Sequence, residues 1–301
     1  MIYLISSCTS VKSIISDDKH LLRNYDLSNI EKVSIEWIKN ISLDCTNKIP
    51  ARKLYQGPSW KATLDTEKKF SAKFTTQLLI ASAGHGLIDS NEIICSYGST
   101  FSKKHKDSIH HFKNIENPTQ LWWTKTNKFD LNSLNTKSYM FLFLPSEYLI
   151  ALKDFIEDLI DVFDKRIYIL LTSKTKLSNK IENRSLRFDT RFNSYEKGTL
   201  ITLSQRCMRW LSNEIITKEL PFEHNVLQNH IDTFLSNLAP YKVEQRKQLH
   251  DDDLVNIITD QIKLENIKSA TQGLKRLRTK GFACEQKRYG KFFNALIKDN
   301  K

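Results

Sequence analysis

Four short apolar runs, spread along a chain of 301 residues, constrain its fold more than any other feature. They cover residues 2–6, 78–83, 138–144 and 167–171. Runs of this length are typical of buried strands, and the segments between them carry apolar residues at helical spacing. Strands that alternate with helices favour a mostly parallel central sheet with helices on both faces. We therefore predict an α/β domain over residues 1–220.

The turns after the first two runs are candidate sites. Gly84-His85-Gly86 follows the second run, in a chain with only 8 glycines. Glycine permits φ > 0 and a close approach to a ligand, and ligands of open α/β sheets bind at the carboxyl edge. His85 is therefore a candidate catalytic residue, with a hydrogen-bonded histidine in an ordinary turn as an equal alternative. Cys8 lies in the Ser- and Thr-rich turn after the first run, which suits a base or a phosphate.

The charge balance and the cysteines narrow the class of protein. A total of 46 Lys and Arg against 34 Asp and Glu gives a net charge of +12, which favours nucleic acid as the partner. No apolar run approaches the roughly 20 residues of a membrane span, so we expect no membrane partner. The five cysteines are scattered, which predicts reduced thiols, a cytoplasmic location, no metal and no cofactor.

Residues 102–135 form a polar segment that we expect to be an irregular insert. It combines histidines and lysines with the pair Trp122-Trp123. Aromatic rings interleaved with cations suit nucleic acid, because bases stack on the rings and phosphates meet the cations. Trp123 is the candidate for stacking, whereas Trp122 is the better candidate for the core.

The sequence beyond Pro221 predicts a small, basic, all-helical domain over residues 221–301. The predicted helices cover residues 222–238, 251–264, 269–280 and 284–297. From Lys268 onward there are ten Lys and Arg against two acids. A capped helix, a glycine stop and a second basic helix favour a helix-turn-helix-like unit that binds DNA phosphates, with a merely solvated basic face as the alternative. The candidate cations are Lys275, Arg276, Arg278, Lys280, Lys287 and Arg288.

Three blocks of sequence resemble a known family pattern. They are Pro50-Ala51-Arg52-x-Leu54-Tyr55-x-Gly57, Ser82-Ala83-x-His85-Gly86-Leu87, and Tyr97 followed by Thr100-Phe101. Over about residues 1–175 they resemble the YaaA-like and uracil-DNA-glycosylase-like α/β family. The turn at Ser7-Cys8 matches its first block, although Lys12 comes one position late, and Ser96 replaces the proline before Tyr97.

The resemblance implies activity on nucleic acid. Relatives of this type include anti-phage enzymes that remove hypermodified cytosines, and the basic tail favours a member that acts on DNA. The expected function is a DNA glycosylase that hydrolyses the N-glycosidic bond of a modified base in double-stranded phage DNA and leaves abasic sites. A non-catalytic DNA-binding or sensor protein and a base-exchange enzyme acting on RNA are the alternatives.

Such chemistry requires a donor to the leaving base, a carboxylate near the sugar, and an extrahelical base held by stacking. His85 is the predicted donor or partner of the water, and Asp89 and Asp189 are the candidate carboxylates. The predicted base pocket contains Cys8, Tyr55, Tyr97 and Trp123, with core packing as the commoner role of the tyrosines. The predicted phosphate ligands of the α/β domain are Arg52, Arg187 and Arg191.

Overall fold

A computed structural model describes residues 1–43, 45, 47–241 and 246–299. The first apolar run forms a central strand of its main sheet. The strands of its first unit are β1 (Ile2–Ser7), β2 (Lys48–Pro50), β3 (Thr76–Ser82), β4 (Gly86–Asp89), β5 (Ile93–Cys95), β6 (Tyr139–Phe143), β7 (Ile167–Leu171) and β8 (Ser185–Arg187). Six of them form a sheet in the order β4-β3-β1-β6-β7-β8. Neighbouring strands in this sheet are parallel, except that β3 and β4 are antiparallel. Strands β2 and β5 form a separate antiparallel pair.

The strand order creates a switch point between β1 and β6. From β1 the chain crosses to β3 on one side, and from β6 it crosses to β7 on the other side. The connections after β1 and β6 therefore diverge, which leaves a crevice at the carboxyl ends of these two strands.

Helices and irregular segments cover both faces of this sheet, since every residue of β1 is buried. The α-helices of the unit are α1 (Ile30–Leu43), α2 (Ala51–Leu54), α3 (Pro58–Ser71), α4 (Pro118–Thr126), α5 (Ser146–Ala151), α6 (Lys153–Phe163), α7 (Asn179–Glu182), α8 (Phe192–Tyr195), α9 (Leu203–Lys218) and α10 (His224–Ser236). Short 3₁₀ helices cover Asp18–His20, Leu22–Asn24, Ile109–His111, Leu131–Ser133, Asp164–Arg166 and Leu200–Thr202. The predicted α/β class with a mostly parallel central sheet is confirmed.

Two expectations about this unit need correction. Residues 102–135 are not an irregular polar insert, because they contain α4, and Ile109, Phe112 and both tryptophans are buried in the core. The apolar residues at positions 200–203 also predict a short strand that completes this domain, but Leu200–Thr202 form a 3₁₀ turn that leads directly into α9.

The chain divides after Tyr241, into units Met1–Tyr241 and Lys242–Lys301, rather than after residue 220. The reason is α10, whose Leu227, Ile231 and Leu235 are buried in the core of the first unit. The second unit contains β9 (Lys247–Gln248), α11 (Asp251–Lys263), α12 (Ala270–Thr279), β10 (Phe282–Ala283) and α13 (Gln286–Asp299). The sequence predicts that Leu274, Leu277 and Phe282 face inward; Leu274 and Leu277 are buried in the small core of this unit, and Phe282 packs against it partly buried.

The sequence predicts that all five cysteines are reduced thiols, and this prediction is wrong for two of them. Cys45 and Cys95 form a disulfide that joins the segment after α1 to β5, whereas Cys8, Cys207 and Cys284 are free. His20 lies beside this pair, and the three possible ligand atoms lie within 4.8 Å of one another. The disulfide ties up both sulfurs, so it leaves no thiolate for a metal there. Within the described residues, no helix combines the length and apolarity needed to cross a bilayer.

Candidate functional site

A cavity of about 730 Å³ lies at the switch point, beside the carboxyl ends of β1 and β6. Its wall is formed by the loop after β1, the first residues after β6, and part of the segment between β5 and α4. Small-molecule sites commonly measure about 300–1,000 Å³ and lie at such switch points. Six side chains on the wall are central to its chemistry: Lys12, Arg23, Tyr97, His105, Asp107 and Tyr148.

Asp107 provides a buried carboxylate on this wall, since the residue is only 3% exposed. Arg23 binds it twice, through its backbone N–H to Oδ1 at 3.2 Å and through Nη1 to Oδ2 at 2.8 Å. The arginine therefore balances the negative charge and fixes the orientation of the carboxylate.

His105 lies next to this pair and is held in one tautomer. The backbone N–H of Asp107 donates to Nδ1 of His105 at 3.1 Å, which assigns the proton of the neutral ring to Nε2. Burial lowers the pKa of His105, against a smaller opposing effect of Asp107. The imidazole is therefore neutral near pH 7 and keeps an Nε2–H donor.

Lys12 and Cys8 come from the loop after β1. The Lys12 Nζ lies 4.2 Å from the centroid of the Tyr97 ring and donates to the carbonyl oxygen of Thr9 at 3.3 Å. Burial lowers the pKa of Lys12 despite the nearby Cys8 and Asp107. Cys8 Sγ lies 3.0 Å from the Tyr148 hydroxyl, so the wall combines an amine, a thiol and two phenols.

A hydrogen-bonded layer lies behind Tyr97 and fixes its ring. The Tyr97 hydroxyl lies 2.7 Å from Ser82 Oγ and 3.1 Å from the Tyr55 hydroxyl. Both tyrosines are about 1% exposed, and burial raises the pKa of each. Of the predicted base pocket, Cys8 and Tyr97 therefore line the cavity, while Tyr55 supports Tyr97 from behind.

His85 lies next to this layer, yet its ring does not line the cavity. Its Nε2 donates to the carbonyl oxygen of Cys95 at 3.1 Å, and its edge packs against Tyr97 with centroids 5.0 Å apart. Burial lowers the pKa of His85 to about 4, so the ring is neutral near pH 7. These contacts match the structural alternative, a hydrogen-bonded histidine in a strand turn.

The two predicted carboxylates lie outside the cavity wall. Asp89 ends β4, where its oxygens accept from Gln77 Nε2 at 2.8 Å and from the Asn91 backbone at 2.7 Å. Asp189 binds Arg191 at 2.8 Å, and that arginine lowers the pKa of the carboxylate. His85, Asp89 and Asp189 are therefore not brought together at one surface of the cavity.

Trp123 is also placed differently from its predicted role. The ring is 3% exposed and packs against Phe101 and Phe155, at centroid distances of 6.5 and 5.8 Å. A base cannot stack on a ring that is covered in this way, so Trp123 belongs to the core together with Trp122.

Most of the predicted phosphate ligands have internal partners. In the first unit, Arg52 binds Glu67 at 2.7 Å, Arg187 binds Glu182, and Arg191 binds Asp189. In the second unit, Glu265 binds Arg276 at 2.9 Å and Lys280 at 2.5 Å. Arg288 binds Asp251, and Arg278 donates to the carbonyl oxygen of Cys284 at 3.1 Å. Lys275 and Lys287 are exposed.

Sequence reasoning missed Arg23, His105 and Asp107 as site residues. Arg23 lies more than 80 positions before His105 and Asp107, and only the polar run around His105 gave any signal. Comparisons with protein-family models, with curated proteins and with solved structures find no match to this chain.

Proposed function

We propose that the first unit hydrolyses the N-glycosidic bond of a modified base in double-stranded DNA and leaves an abasic site. A hypermodified cytosine of phage DNA is the expected substrate. The observation that carries this proposal is the cavity at the switch point, where a buried carboxylate, a neutral imidazole and an aromatic wall line one space.

The cavity suits an extrahelical nucleotide for two reasons. Its volume of about 730 Å³ exceeds what a base alone requires, which leaves room for a base that carries a substituent. Its wall includes Tyr97 and Tyr148, rings that favour a flat base, and the hydroxyl-rich loop after β1 supplies polar contacts to base edges. The net charge of +12 favours approach to the DNA backbone.

The chemistry assigns separate roles to His105 and Asp107. Cleavage passes through an oxocarbenium-like sugar, which a nearby carboxylate stabilises. Asp107 provides this negative charge, and Arg23 holds its orientation. The Nε2–H of His105 donates to the leaving base as negative charge develops on it, the role that the sequence had suggested for His85.

Binding of DNA without cleavage is the second candidate. One observation favours it, because Arg23 engages both oxygens of Asp107 and so offsets the charge that catalysis requires. In that case the cavity recognises an extrahelical base and leaves the bond intact.

The test incubates the full chain with phage DNA that contains hypermodified cytosine and labels the abasic sites with an aldehyde-reactive probe. We expect labelling by the wild type and loss of labelling in Asp107→Asn, which keeps the shape and one acceptor of the side chain. Asp189→Asn is the matched control and should label normally. Specific binding of the same DNA with no labelling by the wild type would favour the second candidate, and incorporation of a labelled free base into RNA would favour base exchange.

A further inference from the structure

We propose that Lys12 acts as an amine nucleophile on abasic DNA, so that the same cavity also cleaves the strand at the abasic site. This inference rests on the proposed function for its substrate, an aldehyde produced in the cavity. It adds a covalent activity that base removal by water does not require.

The position of Lys12 is the first argument. Lys12 lines the cavity, and its Nζ lies 4.2 Å from the centroid of the Tyr97 ring and 5.9 Å from that of the Tyr55 ring. A sugar whose base occupies this cavity brings its C1′ into the same space. The flexible side chain of lysine then needs only a change of rotamer to reach that carbon.

The partners of Lys12 are the second argument. In the described chain its Nζ donates to one backbone carbonyl, that of Thr9, and forms no ion pair with an acid. Burial lowers the pKa of Lys12, although the contact of Nζ with the face of the Tyr97 ring and the nearby Cys8 and Asp107 favour the ammonium form. Desolvation of this kind activates lysines that form Schiff bases.

The covalent step balances without an oxidant or a reductant. The neutral amine attacks the C1′ aldehyde of the open sugar, and one water leaves as the imine forms. A water in the cavity takes a C2′ proton, the C3′–O bond breaks, and the downstream strand departs with its 5′ phosphate. Hydrolysis of the imine consumes one water and returns the free amine of Lys12, leaving an unsaturated aldehyde on the upstream strand.

The test uses an oligonucleotide that already contains a single abasic site, so that it does not depend on base removal by this chain. Sodium borohydride reduces the imine to a stable amine, and mass spectrometry of the digested adduct identifies the attached residue. We expect an adduct at Lys12 and, without borohydride, strand cleavage at the abasic site. Lys12→Arg keeps the charge and should lose both, whereas Lys106→Arg, an exposed neighbour of the site, should keep both.

The outcomes separate this inference from the proposed function. An adduct at Lys12 from a protein that releases no base supports the nucleophile and overturns the glycosylase. Release of base without any adduct on preformed abasic DNA, or with an adduct only at other lysines, overturns the nucleophile. Mapping the adduct in the wild type keeps the test decisive even if Lys12→Arg fails to fold.

Discussion

Two neighbouring strands of one sheet, β1 and β3, end in polar turns with opposite surroundings. In the turn after β3, Trp122 and Trp37 donate to the carbonyl oxygens of Ala83 and Gly84 at 2.7 and 2.8 Å, and the His85 ring bonds to Cys95. In the loop after β1, Cys8 and Lys12 line the cavity.

This difference shows that a histidine between glycines does not by itself mark a site. The turn after β3 satisfies its polar groups internally and so fixes the back of the cavity wall. The loop after β1 instead lines the cavity, where Cys8 and Lys12 bond to Tyr148 and Thr9 and border the space that a ligand would fill.

The first prediction compares the two histidines in catalysis. His105→Gln removes the donor to the leaving base and should slow formation of abasic sites by about 10²–10⁴, the usual effect of a positioned acid–base group. His85→Gln should change the rate far less in protein that remains folded. Single-turnover kinetics of abasic-site formation measures both, with His111→Gln, an exposed histidine of the same segment, as the control. A larger loss in His85→Gln would show that the turn after β3, and not the cavity wall, carries the acid–base group.

The second prediction concerns stability and pH. The folded pKa of His85 is about 4, below the ordinary 6.5, so the unfolded chain binds the extra proton between these values. The contribution of the neutral ring is complete above about pH 6.5 and is lost as the pH falls towards 4. The loss is on the order of 3 kcal/mol, since each pKa unit corresponds to about 1.4 kcal/mol.

Urea unfolding at several pH values between 4 and 7 measures this effect. His85→Gln should be less stable than the wild type near pH 7 and should lose this part of the pH dependence. If the free energy of unfolding depends on pH in the same way in the wild type and in His85→Gln, the ring is not held neutral in the folded state.

The third prediction concerns the close packing of the turn after β3. A Cβ on Gly84 would lie 2.4 Å from Tyr97 Cδ2, so Gly84→Ala should destabilise the protein by about 1–3 kcal/mol. Gly290 lies in α13 with nothing within 4 Å of an added Cβ, and Gly290→Ala should be neutral or stabilising by up to about 1 kcal/mol. The melting temperatures of the two variants and the wild type measure this difference. Equal changes in both variants would show that Gly84 is not tightly packed against Tyr97.

Strands β1, β3, β6 and β7 were predictable because their apolar runs are contiguous, and β7 covers the predicted residues 167–171. The segment around Trp122 was not, because the positions that α4 buries at helical spacing include Thr119 and Thr126, and these polar residues weaken the apolar pattern. Cys8 and Tyr97, which line the cavity, could be proposed from the sequence because Cys8 follows a recognisable strand and Tyr97 belongs to a recognisable motif. Arg23 and Asp107 escaped prediction because their pairing depends on how distant loops meet at the edge of the sheet.

The last prediction extends the contrast to the basic face of the second unit, where the effect is smallest. Lys275 is exposed and forms no ion pair in the described part of the chain, whereas Lys280 is bound to Glu265 at 2.5 Å. A free cation that meets a phosphate releases counterions, so Lys275→Ala should make the log–log salt dependence of DNA binding shallower by about 0.9. Lys280→Ala should change it less, since Glu265 already offsets that charge. Fluorescence anisotropy with duplex DNA at several salt concentrations measures both slopes. A steeper loss for Lys280 than for Lys275 would mean that DNA displaces the internal acid, and that internal ion pairs do not predict which cations of this face bind phosphate.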